Sequence, residues 1–121
     1  MNEAVKKLKE LIEVLEHDTY PFKPDMIRFE KRTFVLNQKL VCEVDFHDET
    51  YFISYPELDI AVWGKTRDEA EEAFAFVFSA LYDNYALESD DILSSKARDI
   101  KKKMNSLVTS TFHESSESKR H

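Results

Sequence analysis

The stretch from Tyr51 to Ala73, YFISYPELDIAVWGKTRDEAEEA, constrains the fold more than any other part of the chain. An aromatic strand runs into Pro56-Glu57-Leu58, and a second short strand, Ile60 to Trp63, follows at once. Gly64, the sole glycine, then leads through Lys65 into a helix opening with Thr66-Arg67-Asp68-Glu69-Ala70. Thr66 and Glu69 have the spacing of a capping box, in which the hydroxyl accepts the Glu69 backbone N–H and the carboxylate reaches back to that of Thr66. The pattern predicts strand, tight connection, strand, glycine turn and capped helix. It contains no nucleophile, acid–base pair or phosphate cradle.

From Arg67 to about Leu87, residues Ala70, Phe74, Val77, Leu81 and Tyr85 form an apolar stripe at three- and four-residue steps, widened by Phe78. Glu72, Ser79 and Asp83 mark the opposite face. Phe76 falls on the flank of the stripe, where a terminal helix or a partner would have to cover it. Upstream, Met26 to Leu36 is rich in strand formers and Asn37-Gln38 can turn it into Lys39 to Phe46. There Leu40, Cys42, Val44 and Phe46 alternate with Val41, Glu43, Asp45 and His47, a period of two. His47-Asp48-Glu49 supplies a polar turn into Tyr51 to Tyr55. The expected fold is α+β, a small antiparallel sheet of three to four strands packed on one long helix.

The ends add a helix each. Val5, Leu8, Leu11, Ile12 and Leu15 give an amphipathic helix over 3–16, stopped before Pro21 and Pro24. Asp90 and Asp91 suit the start of a second, over 90–108, with Leu93, Ala97, Ile100, Met104 and Leu107 on one side. Residues 109–121 are serine-rich and aperiodic, and read as a disordered tail behind a single domain over 1–108.

With 121 residues, one cysteine, no long apolar run and a formal charge of −7, the chain reads as a soluble cytoplasmic protein without a membrane partner. The acidic balance opposes binding to phosphate backbones and favours a basic partner. Gly64-Lys65-Thr66 imitates the end of a P-loop, but the position of its first glycine is Asp59, a carboxylate that would repel the phosphates. His17, His47, His113 and His121 have no zinc spacing among themselves or with Cys42. Asp45, His47, Asp48 and Glu49 read as a solvated hairpin tip before a hard-cation site. Cys42 shares a strand face with Leu40 and Val44, as a buried thiol does. Lys96, Arg98 and Lys101 to Lys103 make the last helix basic, yet Asp90, Asp91 and Asp99 dilute that field and no aromatic platform interleaves. No cofactor is implied.

The run Tyr55 to Ala70, YPELDIAVWGKTRDEA, resembles the HicB-like antitoxin family, whose pattern is a strand ending in Pro-Glu/Asp-Leu, a short strand, Gly-Asp/Lys-Thr and an acidic helix start. The likeness covers about residues 38–87. It implies a truncated ribonuclease-H-like core without catalysis, which binds and neutralises a small basic ribonuclease toxin and forms homo-oligomers. Tyr51, Tyr55, Glu57, Asp59, Trp63 and Phe76 would then meet the partner, as aromatic anchors ringed by acids. Asp59 stands where many members carry glycine, and residues 88–121 are too short for the family's usual DNA-binding domain, so operator binding is not implied. Two alternatives stand beside this reading. One is a homo-oligomeric accessory protein with no toxin; the other is a nucleic-acid enzyme with a metal at Asp45, Asp48 and Glu49.

Overall fold

The computed structural model describes residues 3–6, 8 and 18–114. The fold is α+β, as the patterning predicts, but it carries two three-stranded antiparallel sheets in place of one meander. One sheet has the order β1 (Met26–Phe29), β2 (Arg32–Leu36), β6 (Val108–His113); the other is β3 (Glu43–His47), β4 (Thr50–Tyr55), β5 (Ile60–Gly64). Helix α1 (Arg67–Leu81) packs on β5, β4 and β1, and helix α2 (Ser95–Leu107) runs directly into β6. Of the expected helix over 3–16, residues 3–6 and 8 are helical and the remainder lies outside the described residues.

The second sheet exists because the segment from Met26 to Leu36 is two strands. Phe29 pairs with Arg32, so Glu30 and Lys31 form a two-residue turn, and Glu30 takes the left-handed φ of 55° that such turns demand. Asn37 continues from β2 to the end of α2, where its N–H donates to the Leu107 carbonyl at 2.9 Å and Nδ2 to that of Ser106. Strand β3 accordingly starts at Glu43, not Lys39; Leu40 and Cys42 are buried in the connection, and Cys42 exchanges two backbone hydrogen bonds with Phe22.

From Thr109 to Glu114 the chain departs from the sequence reading, and the rest of the expected tail, 115–121, lies outside the described residues. Residues 108–113 form β6, in register with β2 from Arg32↔His113 to Val35↔Ser110, where a disordered tail is expected. Thr, Ser and Phe pair well in a ladder whatever their lack of periodicity, because an edge strand exposed on both faces needs none. The helix expected over 90–108 begins later: Asp90–Ile92 is a single 3-10 turn, and Ser94 caps α2 by accepting the Ala97 N–H at 3.1 Å.

A single core joins the layers. Phe34 of β2, Leu40, Ile53 of β4, Leu58, Ile60 of β5, Phe74 and Phe78 of α1 and Met104 of α2 are fully buried within it. After Leu81 the helix widens into a π turn, Tyr82–Ala86, whose Ala86 is buried. At its start, the Thr66 hydroxyl accepts the Glu69 N–H at 3.1 Å, while the Glu69 carboxylate accepts the N–H of Lys65 at 2.9 Å, one residue earlier than a standard box.

Candidate functional site

The six residues expected to meet a partner do not share a surface. Tyr51 and Tyr55 point into the core, where burial, with Glu57 adding to it, pushes the Tyr55 phenol up to about 12. These two cannot present themselves to a partner. Glu57 and Asp59 are exposed but face α2: the Asp59 carboxylate is 3.3 Å from Lys96 Nζ, and Lys103 Nζ donates to the Glu57 carbonyl. Asp59 closes the 3-10 turn Pro56–Leu58 in the left-handed region, φ 57°, with its N–H donating to Pro56. Phe76 is 55% exposed on α1, in edge contact with Phe29 of β1 and under neither α2 nor another described helix. Only Trp63, 67% exposed, stands on an open face of the β3–β4–β5 sheet.

That face is organised by alternation. The inward positions Val44, Tyr51, Ile53, Tyr55, Ile60 and Val62 are buried, which turns Glu43, Asp45, Phe52, Ser54, Ala61 and Trp63 outward. Asp45, Phe52 and Trp63 lie directly opposite one another across the three strands. His47 stacks on the Phe52 ring with centroids 4.3 Å apart and planes 11° from parallel, and its Nδ1 is 3.5 Å from the Asp48 carboxylate. Cross-strand neighbours of this kind hold each other's rotamers, so the aromatic row is a prearranged surface. Glu43 and Asp45 border it, with Asp48 and Glu49 at the adjoining turn, both in the left-handed conformation of a two-residue hairpin loop. Among the described residues Glu43 and Asp45 have no ion-pair partner. An apolar aromatic centre with an acidic border has the chemistry of a contact for a basic protein.

A second concavity, about 590 Å³, opens between the β1–β2 turn and α1, lined in part by Phe29, Arg32, Phe76, Asp83 and His113. Its Arg32–Asp83 pair is already made. Arg32 grips Asp83 through both guanidinium ends at 2.8 and 2.9 Å, donates to the Ser79 hydroxyl and carbonyl, and lies over the Phe34 ring at 4.6 Å. Those hydrogen bonds hold the Asp83 carboxyl below its ordinary value, partly opposed by desolvation. The ion pair ties β2 to the end of α1, and so has a structural role.

Three of the four lysines of α2 are likewise engaged. Lys101 pairs with Asp90 at 2.8 Å, Lys96 with Asp59 and Lys103 with Asp99, which makes most of the basic face a local complement to nearby acids. Asp45 lies on the sheet face while Asp48 and Glu49 turn the hairpin; among the described residues no three His, Cys, Asp or Glu side chains gather as a metal site. Burial pushes the Cys42 thiol up to about 12, leaving it protonated and inert. No described helix is long and apolar enough to cross a membrane. The chain matches no family model, no curated protein and no solved structure.

Proposed function

We propose that this chain is a non-catalytic protein-interaction module of HicB-like antitoxin type, holding a small basic ribonuclease toxin against the open face of the β3–β4–β5 sheet. The supporting observation is the Asp45–Phe52–Trp63 row with His47 stacked on it. An exposed tryptophan in a prearranged aromatic row is the kind of residue that carries binding energy, and the bordering carboxylates steer a cationic partner into register. The contact residues of the proposal are thus Trp63, retained from the sequence reading, with Phe52, Asp45 and Glu43 in place of the buried tyrosines.

Trp63 is the only tryptophan, so its emission reports on this face alone. Titration with the short basic protein encoded in the neighbouring reading frame should shift that emission to the blue as the indole leaves water. Trp63→Ala, followed by calorimetry, should weaken binding by about 2 kcal/mol, some thirtyfold. Asp45→Lys should slow association and flatten its salt dependence. With magnesium added, the chain alone should leave structured RNA uncut. Full affinity in both variants would exclude this face as the contact, and RNA cleavage would exclude the non-catalytic reading.

A further inference from the structure

Strand β6 ends the order β1-β2-β6, and no described strand pairs with its outer edge. Residues 109–113 are exposed on both faces, with Phe112 at 60%. Proteins guard such edges with lysines, prolines or inward charges. Val108-Thr109-Ser110-Thr111-Phe112-His113 contains no acid, lysine, arginine or proline, and its one irregularity lies opposite Val35 and Leu36, at the start of the strand. The acid that follows, Glu114, is neutralised by Arg28 at 2.9 and 3.1 Å.

The backbone phase of the edge follows from one hydrogen bond. Glu114 donates to the Lys31 carbonyl at 2.7 Å, which makes Lys31↔Glu114 a hydrogen-bonded pair. Such pairs alternate along an antiparallel ladder. With the register Thr33↔Phe112, the Phe112 backbone therefore bonds to β2, and the N–H and C=O groups of Thr111 and His113 point away from it.

We infer that the outer edge of β6 pairs antiparallel with the same strand of a second copy, about a two-fold axis at Thr111, joining two three-stranded sheets into one of six. Three features select a second copy as the occupant. A two-fold axis at Thr111 sets its outward N–H and C=O against those of the copy's Thr111, beyond the irregularity at Thr109, so the edge is self-complementary about that residue. Two chains that each carry −7 repel wherever acids meet, and β6 is a strip without a free acid along which they can approach. The same register sets Phe112 opposite Ser110 of the copy and diagonal to its Phe112, within aromatic reach. This pairing uses the opposite sheet from the Trp63 face and does not depend on the proposed toxin contact.

Light scattering of the full chain across the micromolar range should show twice the single-chain mass at the upper end. Thr111→Pro removes an outward N–H and leaves the bonds to β2 intact, since proline is tolerated on an edge whose N–H faces solvent. The variant should keep its circular dichroism and its melting temperature in dilute solution, and remain at single-chain mass. As a second probe, mild oxidation of an equal mixture of Ser110→Cys and Phe112→Cys chains should give a covalent dimer of one of each, because these positions form a non-hydrogen-bonded pair about 4.5 Å apart at Cα, within disulfide range. Thr109→Cys should not link to itself. Trp63→Ala should leave the mass doubled. A wild-type chain that stays at single mass throughout, a dimer that survives Thr111→Pro, or a mixture of Ser110→Cys and Phe112→Cys chains that fails to cross-link would each overturn the pairing.

Discussion

Gly64→Ala would place a methyl carbon 2.5 Å from the Ala70 amide nitrogen and 2.8 Å from both the carbonyl carbon and Cβ of Glu69. Two of these atoms are helix backbone and cannot swing aside, so the first turn of α1 must lift away from β5. Overpacking of this kind costs about 1–3 kcal/mol. The lift also strains the cap, in which Thr66 accepts from Glu69 and Glu69 from Lys65, a loss of about 1 kcal/mol if it breaks. The opposing effect is the reduced freedom of the unfolded chain, about 0.4–1 kcal/mol in favour of alanine, since Gly64 has no positive φ. The balance is a net loss of about 1–3.5 kcal/mol. In equilibrium urea unfolding, with a slope of about 1.5 kcal/mol/M, the midpoint should fall by roughly 0.7–2.4 M at unchanged slope. An unchanged or higher midpoint would show that the chain-entropy term decides, and that close approach of α1 to β5 is not why glycine stands there.

Two further substitutions probe the Asp59 turn and the Arg32–Asp83 ion pair. Asp59→Gly should stabilise the fold by up to about 1 kcal/mol in a thermal melt, because glycine takes the left-handed cap at no steric cost and the exposed Lys96 pair contributes little; a lower melting temperature would assign Asp59 a larger role. Asp83, held below its ordinary carboxyl value by Arg32, adds stability that is complete above about pH 5 and is lost as pH falls through its depressed folded value. Being half exposed it should contribute about 1 kcal/mol or less, so the urea midpoint of Asp83→Asn should fall less steeply with acid than that of the parent, and parallel curves would refute the linkage.

The elements with a strong period were legible: α1, the hairpin at Asp48-Glu49, strand β5 and the Thr66 cap all lie where the pattern puts them. What escaped was set by context. Glu30-Lys31 carries no glycine, asparagine or aspartate to advertise a turn, so β1 and β2 read as one strand, and with them the second sheet was missed. Gly64 signalled a turn, but its function is to let helix and strand touch. The facing of Phe52 was readable, because it shares parity with Ser54 while Tyr51, Ile53 and Tyr55 alternate against them. Reading Tyr51 and Tyr55 as aromatic anchors overlooks that parity; both are core residues.

The scarcity of glycine also changes how the acids of this chain should be weighed. Its non-glycine residues with positive φ, among those described, are Glu30, Asp48, Glu49 and Asp59, so carboxylates occupy turn positions that other sequences give to glycine. Their acidity at those places follows from backbone demand and solubility, and needs no ligand to account for it. Asp83, Asp90 and Glu114 are answered by Arg32, Lys101 and Arg28. Glu43 and Asp45 belong to neither group: they stand at the start and the middle of β3, where β propensity disfavours them, on the face that carries Phe52 and Trp63, and make no ion pair among the described residues. Exposed acids on the edge strand β3 guard it against edge pairing, and beside the aromatic row they also leave a negative border. The aromatic row is therefore preferred over the concavity at Arg32, where the Arg32–Asp83 pair is already made.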